Sequence, residues 1–394
     1  MKNEIYLDNN ATTPTLPQVR EAMMEALEVG YGNASSAHSA GDRSRKILRD
    51  AREKVAGVIG AIPELVCFTS GGTEANNLAL LSVLSAPGCQ RVVTTTIEHS
   101  SVLKTCEFLE ASGAEVVYLK PNPEGLIDPN QVFNALRESP TALVSVQWVN
   151  NETGVIQQVD TIAEICRDRS TIFHTDAAQA VGKIPIEVED LPIDLLSMTA
   201  HKLHGPQGVG ALYIRDRRFI RQIIHGGPQE SNLRAGTENL VGIVGFGAAA
   251  EHRTRGMERA LRKMSRLRDS FENGLFKSVA DVVINGDPDS RVCNSSNLRF
   301  PGADGQALVA QLDAGGIRCS QSSACTNQRP EPSYVLREMG LSEKEAYESV
   351  RFSFSELNSD VEVEKAVHDI AENVAKLRGF ATGGHNLSSR KVAS

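Results

Sequence analysis

The sequence predicts an α/β protein: a large domain built on a mainly parallel sheet with helices on both faces, followed by a small α+β domain. Three observations carry this reading. From about Gln18 to Met257, short β-branched or aliphatic runs alternate with longer helical ones, the pattern of strands joined by crossover helices. After Gly247 the alternation gives way to a long charged helical stretch, about Ala248 to Lys277, beyond which short strand signals mix with amphipathic helices. With 394 residues, 41% of them hydrophobic, the chain has material for a sizeable core in two or three domains.

Taken in order, the strand-like runs of the first part are Val66–Thr69, Arg91–Thr95, Glu115–Leu119, Ala142–Trp148, Thr171–Thr175, Asp194–Met198 and Gly210–Ile214. Each is rich in β-branched or aliphatic residues and short enough for a strand buried on both faces. Between several of them lie the helical stretches Glu74–Leu84, Ser101–Ser112, Pro129–Glu138 and Thr161–Arg169, with apolar residues recurring at three and four. Past the long helix, strands are expected at Val282–Ile284, Ser296–Phe300 and Val350–Ser353, and helices at Gln306–Ala314 and Ser359–Leu377. From Ala381 the chain is rich in Gly, Ser and Asn without periodicity, the composition of a disordered tail.

Charge and cysteine usage narrow the class. Lys and Arg number 41 against 49 Asp and Glu, a net charge of −8 that gives no general attraction to nucleic acid or to an anionic membrane. The opening MKNEIYLDNNATTP lacks the basic-then-apolar order of a signal peptide, and no stretch approaches the roughly 20 apolar residues that cross a bilayer. The seven cysteines are scattered without a CxxC pair, which fits neither a disulfide framework nor a closed zinc site. A soluble protein of the reducing cytoplasm, with no built-in metal, is expected. Cys67 and Cys166 sit in apolar-periodic segments and read as small core residues.

Ligands of an open α/β sheet bind beyond the carboxyl ends of its strands. The segment Thr69-Ser70-Gly71-Gly72-Thr73-Glu74 joins an apolar run to a helix. Its glycines allow close backbone approach, and the N–H groups of a helix start together with the Thr73 hydroxyl suit a phosphate. Alone, it is equally an ordinary strand-to-helix turn. Asp176, with Gln179 shortly after it, reads either as a helix N-cap or as a carboxylate beside a protonated ring nitrogen. Lys202 follows an apolar run and precedes a Gly-Pro turn; a lysine partly withdrawn from water there has the lowered pKa that suits a Schiff base, with Thr199 and His201 as neighbouring phosphate donors. His99 stands at a helix start, where it is structural or else stacks on a planar ring and moves protons. Cys325 lies in Ser320-Gln-Ser-Ser-Ala-Cys-Thr-Asn-Gln, the composition of a mobile loop, and thiolate chemistry needs such access.

In this order along the chain, TSGGTEANN, VNNETG, HTDAAQ, HKLHGPQGVGALY, RAGTEN and SSACT…EPSYVL resemble the NifS/IscS-type cysteine desulfurases, pyridoxal-phosphate enzymes of fold type I in the class-V aminotransferase family. The likeness runs from about Ile5 to Phe380. It implies an N-terminal arm (1–17) packed with the small domain, a large cofactor-binding domain (18–257), a small domain carrying the Cys325 loop (258–380) and the tail (381–394). It makes Lys202 the Schiff-base lysine, Asp176 the partner of the pyridinium nitrogen, Gln179 the contact of the phenolic oxygen and His99 the residue stacked on the ring. Gly72, Thr73, Thr199 and His201 would hold the phosphate. Thr237, in RAGTEN, matches a threonine lent to the neighbouring subunit's phosphate, which implies a homodimer. Asn33, Asn151 and Arg351 match positions that orient the substrate, the arginine forking onto its carboxylate, and Asn151 also borders the cofactor.

The resemblance further implies that L-cysteine is the substrate, that Cys325 takes its sulfur as a persulfide, and that L-alanine is released. SSACT resembles the long-loop group, which passes sulfur to a scaffold or other acceptor protein for iron–sulfur clusters or thio-cofactors; Cys325 would then be the residue to ligate a cluster in passing. The RxGxHC-like setting of the shorter-loop group is absent. SGGT stands where many relatives have SGAT. Cys319, six residues before Cys325 where an aliphatic residue is expected, reads as a buried small residue or as a resolving thiol. An aminotransferase or selenocysteine lyase of the same fold, and a non-enzymatic assembly partner, are the competing readings; the thiol loop argues against an aminotransferase, and the presence of both Lys202 and Cys325 against a silent partner.

Overall fold

Seven of the apolar runs pair into one sheet. The computed structural model describes residues 4–85, 90–321 and 331–383. After the arm strand β1 (Ile5–Tyr6), the sheet is built from β2 (Val66–Thr69), β3 (Arg91–Thr95), β4 (Glu115–Leu119), β5 (Leu143–Ser145), β6 (Ile172–Asp176), β7 (Leu195–Thr199) and β8 (Gly210–Ile214), in the spatial order β2-β8-β7-β6-β5-β3-β4. The pairs β3–β4, β3–β5, β5–β6 and β6–β7 are parallel, while β8 runs against both β2 and β7. Every residue of β2, β3, β7 and β8 is buried, because helices cover both faces. Cys67, Cys106 and Cys166 pack in these cores, as small apolar residues do.

The reversal of β8 brings the chain back beside β7 through residues 200–209, the loop that holds Lys202. Its first residue, Gly210, is paired with both Thr69 and Thr199. A Cβ there would lie 2.5 Å from the Gly71 carbonyl carbon. Only a glycine lets the Thr69–Thr73 turn sit directly on the start of β8.

The long helix spans Leu240–Ser278, eight residues longer at its start than the sequence suggests. Gly242, Gly245 and Gly247, each costing a helix about 1 kcal/mol relative to alanine, obscure its first turns. They are needed for packing: a Cβ on Gly245 would meet Met23 Sδ at 2.8 Å, and one on Gly247 would meet Ala51 at 3.0 Å, in the helices Pro17–Val29 and Ser39–Gly57. The helix is capped by Asn239, whose Oδ1 accepts the Gly242 N–H at 3.1 Å.

Thirty-nine residues make a rod of about 58 Å. Its first half packs Ile243 and Phe246 into the core of the large sheet, and its second half packs Leu267, Phe271 and Leu275 into a separate core. That second core covers an antiparallel sheet of β9 (Val283–Ile284), β10 (Ser295–Arg299) and β12 (Ser349–Ser353), in the order β12-β10-β9. Phe271 meets Phe352 and Phe354 at ring separations of 4.9 and 5.2 Å, contacts worth about 0.5–1.5 kcal/mol each beyond the area they bury. The short β11 (Ile317–Arg318) pairs in parallel with β1, and Ile5 and Leu7 of the arm belong to this second core. The final helix, Asp360–Gly383, continues three residues into the segment expected as a tail; residues 384–394 lie outside the described residues. Among the described residues no helix is long and apolar enough to cross a membrane.

Candidate active site

The carboxyl ends of the parallel strands converge on a cavity of about 280 Å³. Gly72 and Thr73 line it after β2, His99 after β3, Asn151 after β5, Asp176 and Gln179 after β6, and Thr199, His201 and Lys202 after β7; Arg351, from β12 of the small sheet, closes the opposite wall. Ten residues singled out in the sequence thus meet in one place.

At one end the helix Gly72–Leu81 starts with no side-chain cap on its first turn. Uncapped N–H groups and the positive end of the helix dipole suit an anion. The Glu74 carboxylate is turned away, accepting from the Ser70 N–H at 2.8 Å and pairing with Arg234 at 2.8 Å. His201 borders the same cavity, its Nδ1 at 3.2 Å from the Thr12 hydroxyl; burial and the Lys202 charge push its pKa down to about 4, so it is neutral near pH 7.

Asp176 ends β6. Its Oδ1 accepts the Ala178 N–H at 2.9 Å, the cap role, while Oδ2 accepts from Asn76 Nδ2 at 2.7 Å, so both readings of this residue are compatible. Two residues earlier in the same strand, His174 is fully buried and neutral, its pKa lowered by burial to about 4, and bridges Ser145 of β5 and Ser197 of β7 at 2.8 and 3.0 Å. That polar tie across three strands sets the strand ends, and hence Asp176, in register. His99 caps the helix Ser100–Ala111: its Nδ1 accepts the Ser101 N–H at 3.2 Å. An accepting Nδ1 leaves the proton of the neutral ring on Nε2, and burial lowers the His99 pKa, keeping the ring neutral.

Lys202 Nζ donates to the backbone carbonyls of Asn10 and, at 2.8 Å, Ala11. Arg351 is 1% exposed; Nη2 pairs with Asp8 at 2.7 Å and Nη1 donates to the Asn151 carbonyl at 3.1 Å. The arm therefore supplies acceptors to both cations. Asp8, Asn10, Asn76 and Lys183 escaped the sequence reading. The cluster Asp8-Asn9-Asn10 directly after a strand-like run was the available signal for the first two, since such polar side chains need partners wherever the arm docks; Asn76 lies within a motif already quoted, and Lys183 has no local signal.

Other expected site residues lie elsewhere. Asn33 is exposed, its Oδ1 accepting from the Ser35 N–H at 2.8 Å, and it does not border the Lys202 cavity. Thr237 is exposed and lines a second cavity with Ser70 and Gly208, on the other side of the Thr69–Thr73 turn. Cys325 falls outside the described residues. The chain departs toward it from Ser320, whose N–H and C=O bond the backbone of Arg351 at 3.2 and 2.7 Å, so the segment starts beside the cavity. Cys319 packs against the second core, and burial pushes its thiol up to about 12, which argues against a resolving thiolate.

The residues present fit pyridoxal phosphate. Asn76 Oδ1, Asn151 Oδ1 and Arg351 Nε are buried without a partner in the protein, at a cost of about 1–3 kcal/mol each unless a ligand meets them. The helix start can take the phosphate and Asp176 a protonated ring nitrogen, and Lys202 lines the same cavity.

Comparison with known proteins agrees with this geometry. The aminotransferase class-V family matches residues 5–366. The chain is 41% identical to a protein of Dictyoglomus turgidum named cysteine desulfurase IscS, over 96% of each chain. It is 43% identical to the protein of that name from Shewanella pealeana, over 96% of this chain and 94% of that one. Among solved structures, a NifS-like protein superposes with a TM-score of 0.88 at 35% identity, covering 95% of this chain and all of that one. A structure described as SspA in complex with cysteine superposes with a TM-score of 0.80 at 35% identity, covering 90% of this chain and all of that one. With Lys202, Asp176 and the uncapped start of Gly72–Leu81 lining one cavity at the strand ends, the chain belongs to the aminotransferase class-V family and, within it, to the pyridoxal-phosphate-dependent cysteine desulfurases of the NifS/IscS type.

Proposed function

We propose that the cavity removes sulfur from L-cysteine, leaving L-alanine and a persulfide on Cys325. The observation that carries this reading is Lys202 set among Gly72, Asp176, Gln179 and His99, with Arg351 opposite and the Cys325 segment starting at Ser320, backbone-bonded to Arg351. When bound, pyridoxal phosphate supplies an electron sink for the substrate's α-carbon. Gly72, Thr73, Thr199 and His201 would hold its phosphate, Asp176 its ring nitrogen and Gln179 its phenolic oxygen, with His99 against the ring. Lys202, lining the same cavity, is the residue that would supply the amine to the cofactor's aldehyde. Its Nζ has the Asn10 and Ala11 carbonyls as acceptors, and it takes the α-proton. His99, neutral with its proton on Nε2, donates within the cavity. Arg351 and Asn151 orient the substrate carboxylate. The Cys325 thiolate attacks the substrate sulfur, the carbon–sulfur bond breaks with its electron pair going to the β-carbon, that carbon takes a proton, and Lys202 returns a proton to the α-carbon to give L-alanine.

Thr237 serves the phosphate of a second copy, which makes the working unit a homodimer. Support comes from its exposure and from its placement outside its own chain's Lys202 cavity, across the phosphate turn. Asn33, which likewise does not border its own chain's Lys202 cavity, is assigned to the substrate on the same terms. The acceptor of the sulfur is a scaffold or other carrier protein for iron–sulfur clusters or thio-cofactors, and cysteine usage supports a cytoplasmic location. The domain limits 1–17, 18–257 and 258–380 remain our division of the chain, supported by the two separate cores.

The test is mass spectrometry of the protein after L-cysteine, searching for one added sulfur on Cys325 with alanine in solution. Cys325→Ser should bind L-cysteine, seen as a spectral change of the bound cofactor, yet lose sulfur transfer by at least roughly a hundredfold, about 2.7 kcal/mol of barrier. Cys319→Ser should retain it. Normal turnover without Cys325 would overturn the assignment.

A further inference from the structure

Behind the cavity wall lies a second lysine that the reaction does not use. Lys183 is 6% exposed and sits on the turn after β6, where Gly182 takes a φ of +73° and packs against Leu203, the residue after Lys202. Its Nζ donates to Gln179 Oε1 and, at 3.0 Å, to Asn10 Oδ1. We propose that Lys183 is a positioning residue that sets which end of the Gln179 amide faces the cavity and holds Asn10 where its carbonyl receives Lys202.

The argument is one of polarity. A lysine ammonium offers only donors, and a backbone carbonyl only accepts. Lys183 therefore takes the oxygen of the Gln179 amide, and the Asn10 carbonyl takes its nitrogen, Nε2 donating at 2.9 Å. Each end of the amide is held by a partner of one polarity, so the N–H left over is what Gln179 can present to the cavity it lines. Asn10 is fixed in the same way. Its Oδ1 accepts from Lys183 and from Asn294 Nδ2 at 3.1 Å, which turns its Nδ2 toward the Asn151 carbonyl at 3.3 Å. Its own backbone carbonyl is the one that accepts from both Lys202 and Gln179.

Burial, with the Lys202 charge nearby, lowers the Lys183 pKa to about 7. The arrangement survives that titration, because a neutral amine keeps two N–H groups, one for each acceptor. A buried lysine with two amide oxygens for partners is costly to keep, and orientation is what it supplies in return. Without Lys183, Gln179 Oε1 and Asn10 Oδ1 both lose a buried donor, and the Gln179 N–H is no longer directed at the ligand.

The inference rests on the reading that the phenolic oxygen of pyridoxal phosphate meets Gln179, and the test separates the two. The full-length protein is stripped of cofactor and titrated with pyridoxal phosphate, and the visible band of the bound cofactor is followed against pH. Lys183→Met and Gln179→Leu should each weaken cofactor binding about tenfold, the worth of roughly one hydrogen bond, and move the titration of the band in the same direction. The double variant should be no worse than Gln179→Leu alone. Lys183→Gln, which keeps an N–H donor without the charge, should recover most of the loss. Lys183→Ala takes the place of Lys183→Met if thermal unfolding of the stripped protein shows that the latter does not fold. Unchanged binding and titration in the Lys183 variants, or effects that add in the double, overturn the proposal while Gln179→Leu still shifts both readouts. A silent Gln179→Leu overturns the assignment of Gln179 to the cofactor, and this inference with it.

Discussion

The two walls of the cavity differ in how their polar groups are committed. On the sheet side, Asp176 Oδ2 accepts from Asn76, His99 Nδ1 accepts the Ser101 N–H, and the helix Gly72–Leu81 starts without a side-chain cap, so these groups are fixed by neighbours within the same wall. On the arm side the cations are mostly committed already: Arg351 pairs with Asp8, with its Nε left without a partner, and Lys202 donates to Asn10 and Ala11. The sheet wall is preorganised for a ligand, which lowers the cost of binding. On the arm wall a ligand would have to exchange for contacts already made.

Removing the amine on which both walls converge should have the largest effect. Lys202→Ala should lower turnover at least about a thousandfold, about 4 kcal/mol of barrier, and should abolish the covalent cofactor adduct fixed by borohydride. An adduct of unchanged yield on another lysine would break the assignment. Arg351→Gln should raise the KM for L-cysteine by on the order of tenfold to a hundredfold with a smaller change in kcat, as expected when a charge-assisted fork onto a carboxylate is lost. A fall in kcat with KM unchanged would place Arg351 in the chemistry instead.

Asp8→Asn sharpens the comparison. Asparagine keeps an oxygen for Arg351 and removes the competing charge, so the KM for L-cysteine should fall by about threefold, a small share of a charged hydrogen bond. A rise would mean that Asp8 supports the arginine and does not compete with substrate, and the two walls would then be alike.

The smallest effect concerns the sheet wall alone. Glu98 is fully buried between Thr95 and the Gln147 N–H, and burial pushes its carboxyl up to about 8. Its folded pKa lies above the ordinary value of 4.5, so the folded state holds a proton that the unfolded chain releases. The stability this contributes is fully present below pH 4.5 and is lost as pH rises toward 8. Glu98→Gln should flatten that part of the stability profile in thermal or denaturant unfolding, and an unchanged profile would show that Glu98 stays ionised.

Much of the sheet wall was legible in the chain. Strands such as Arg91–Thr95 and Gly210–Ile214 coincide with their apolar runs, because a strand buried on both faces is announced by its own residues. The cavity residues Gly72, Asp176 and Lys202 stand at strand ends or just beyond them beside local signals, a glycine pair, a capping aspartate and a Gly-Pro sequence. Periodicity and turn chemistry act over a few residues, so they can be read without the fold.

What only the tertiary structure decided acts over long separations. The direction of β8 follows from packing beside β2 and β7, and a strand reads the same in either direction. The start of the long helix was hidden because its glycines answer to the helices they touch, not to helix propensity. Asn10 reaches Lys183 across 173 positions, and Asp8 reaches Arg351 across 343. These meetings are set by how the arm docks between two cores, and no local pattern encodes them. The same holds for Asn33 and Thr237, whose motifs are plain in the chain but whose distance from the Lys202 cavity follows from where the folded chain puts them.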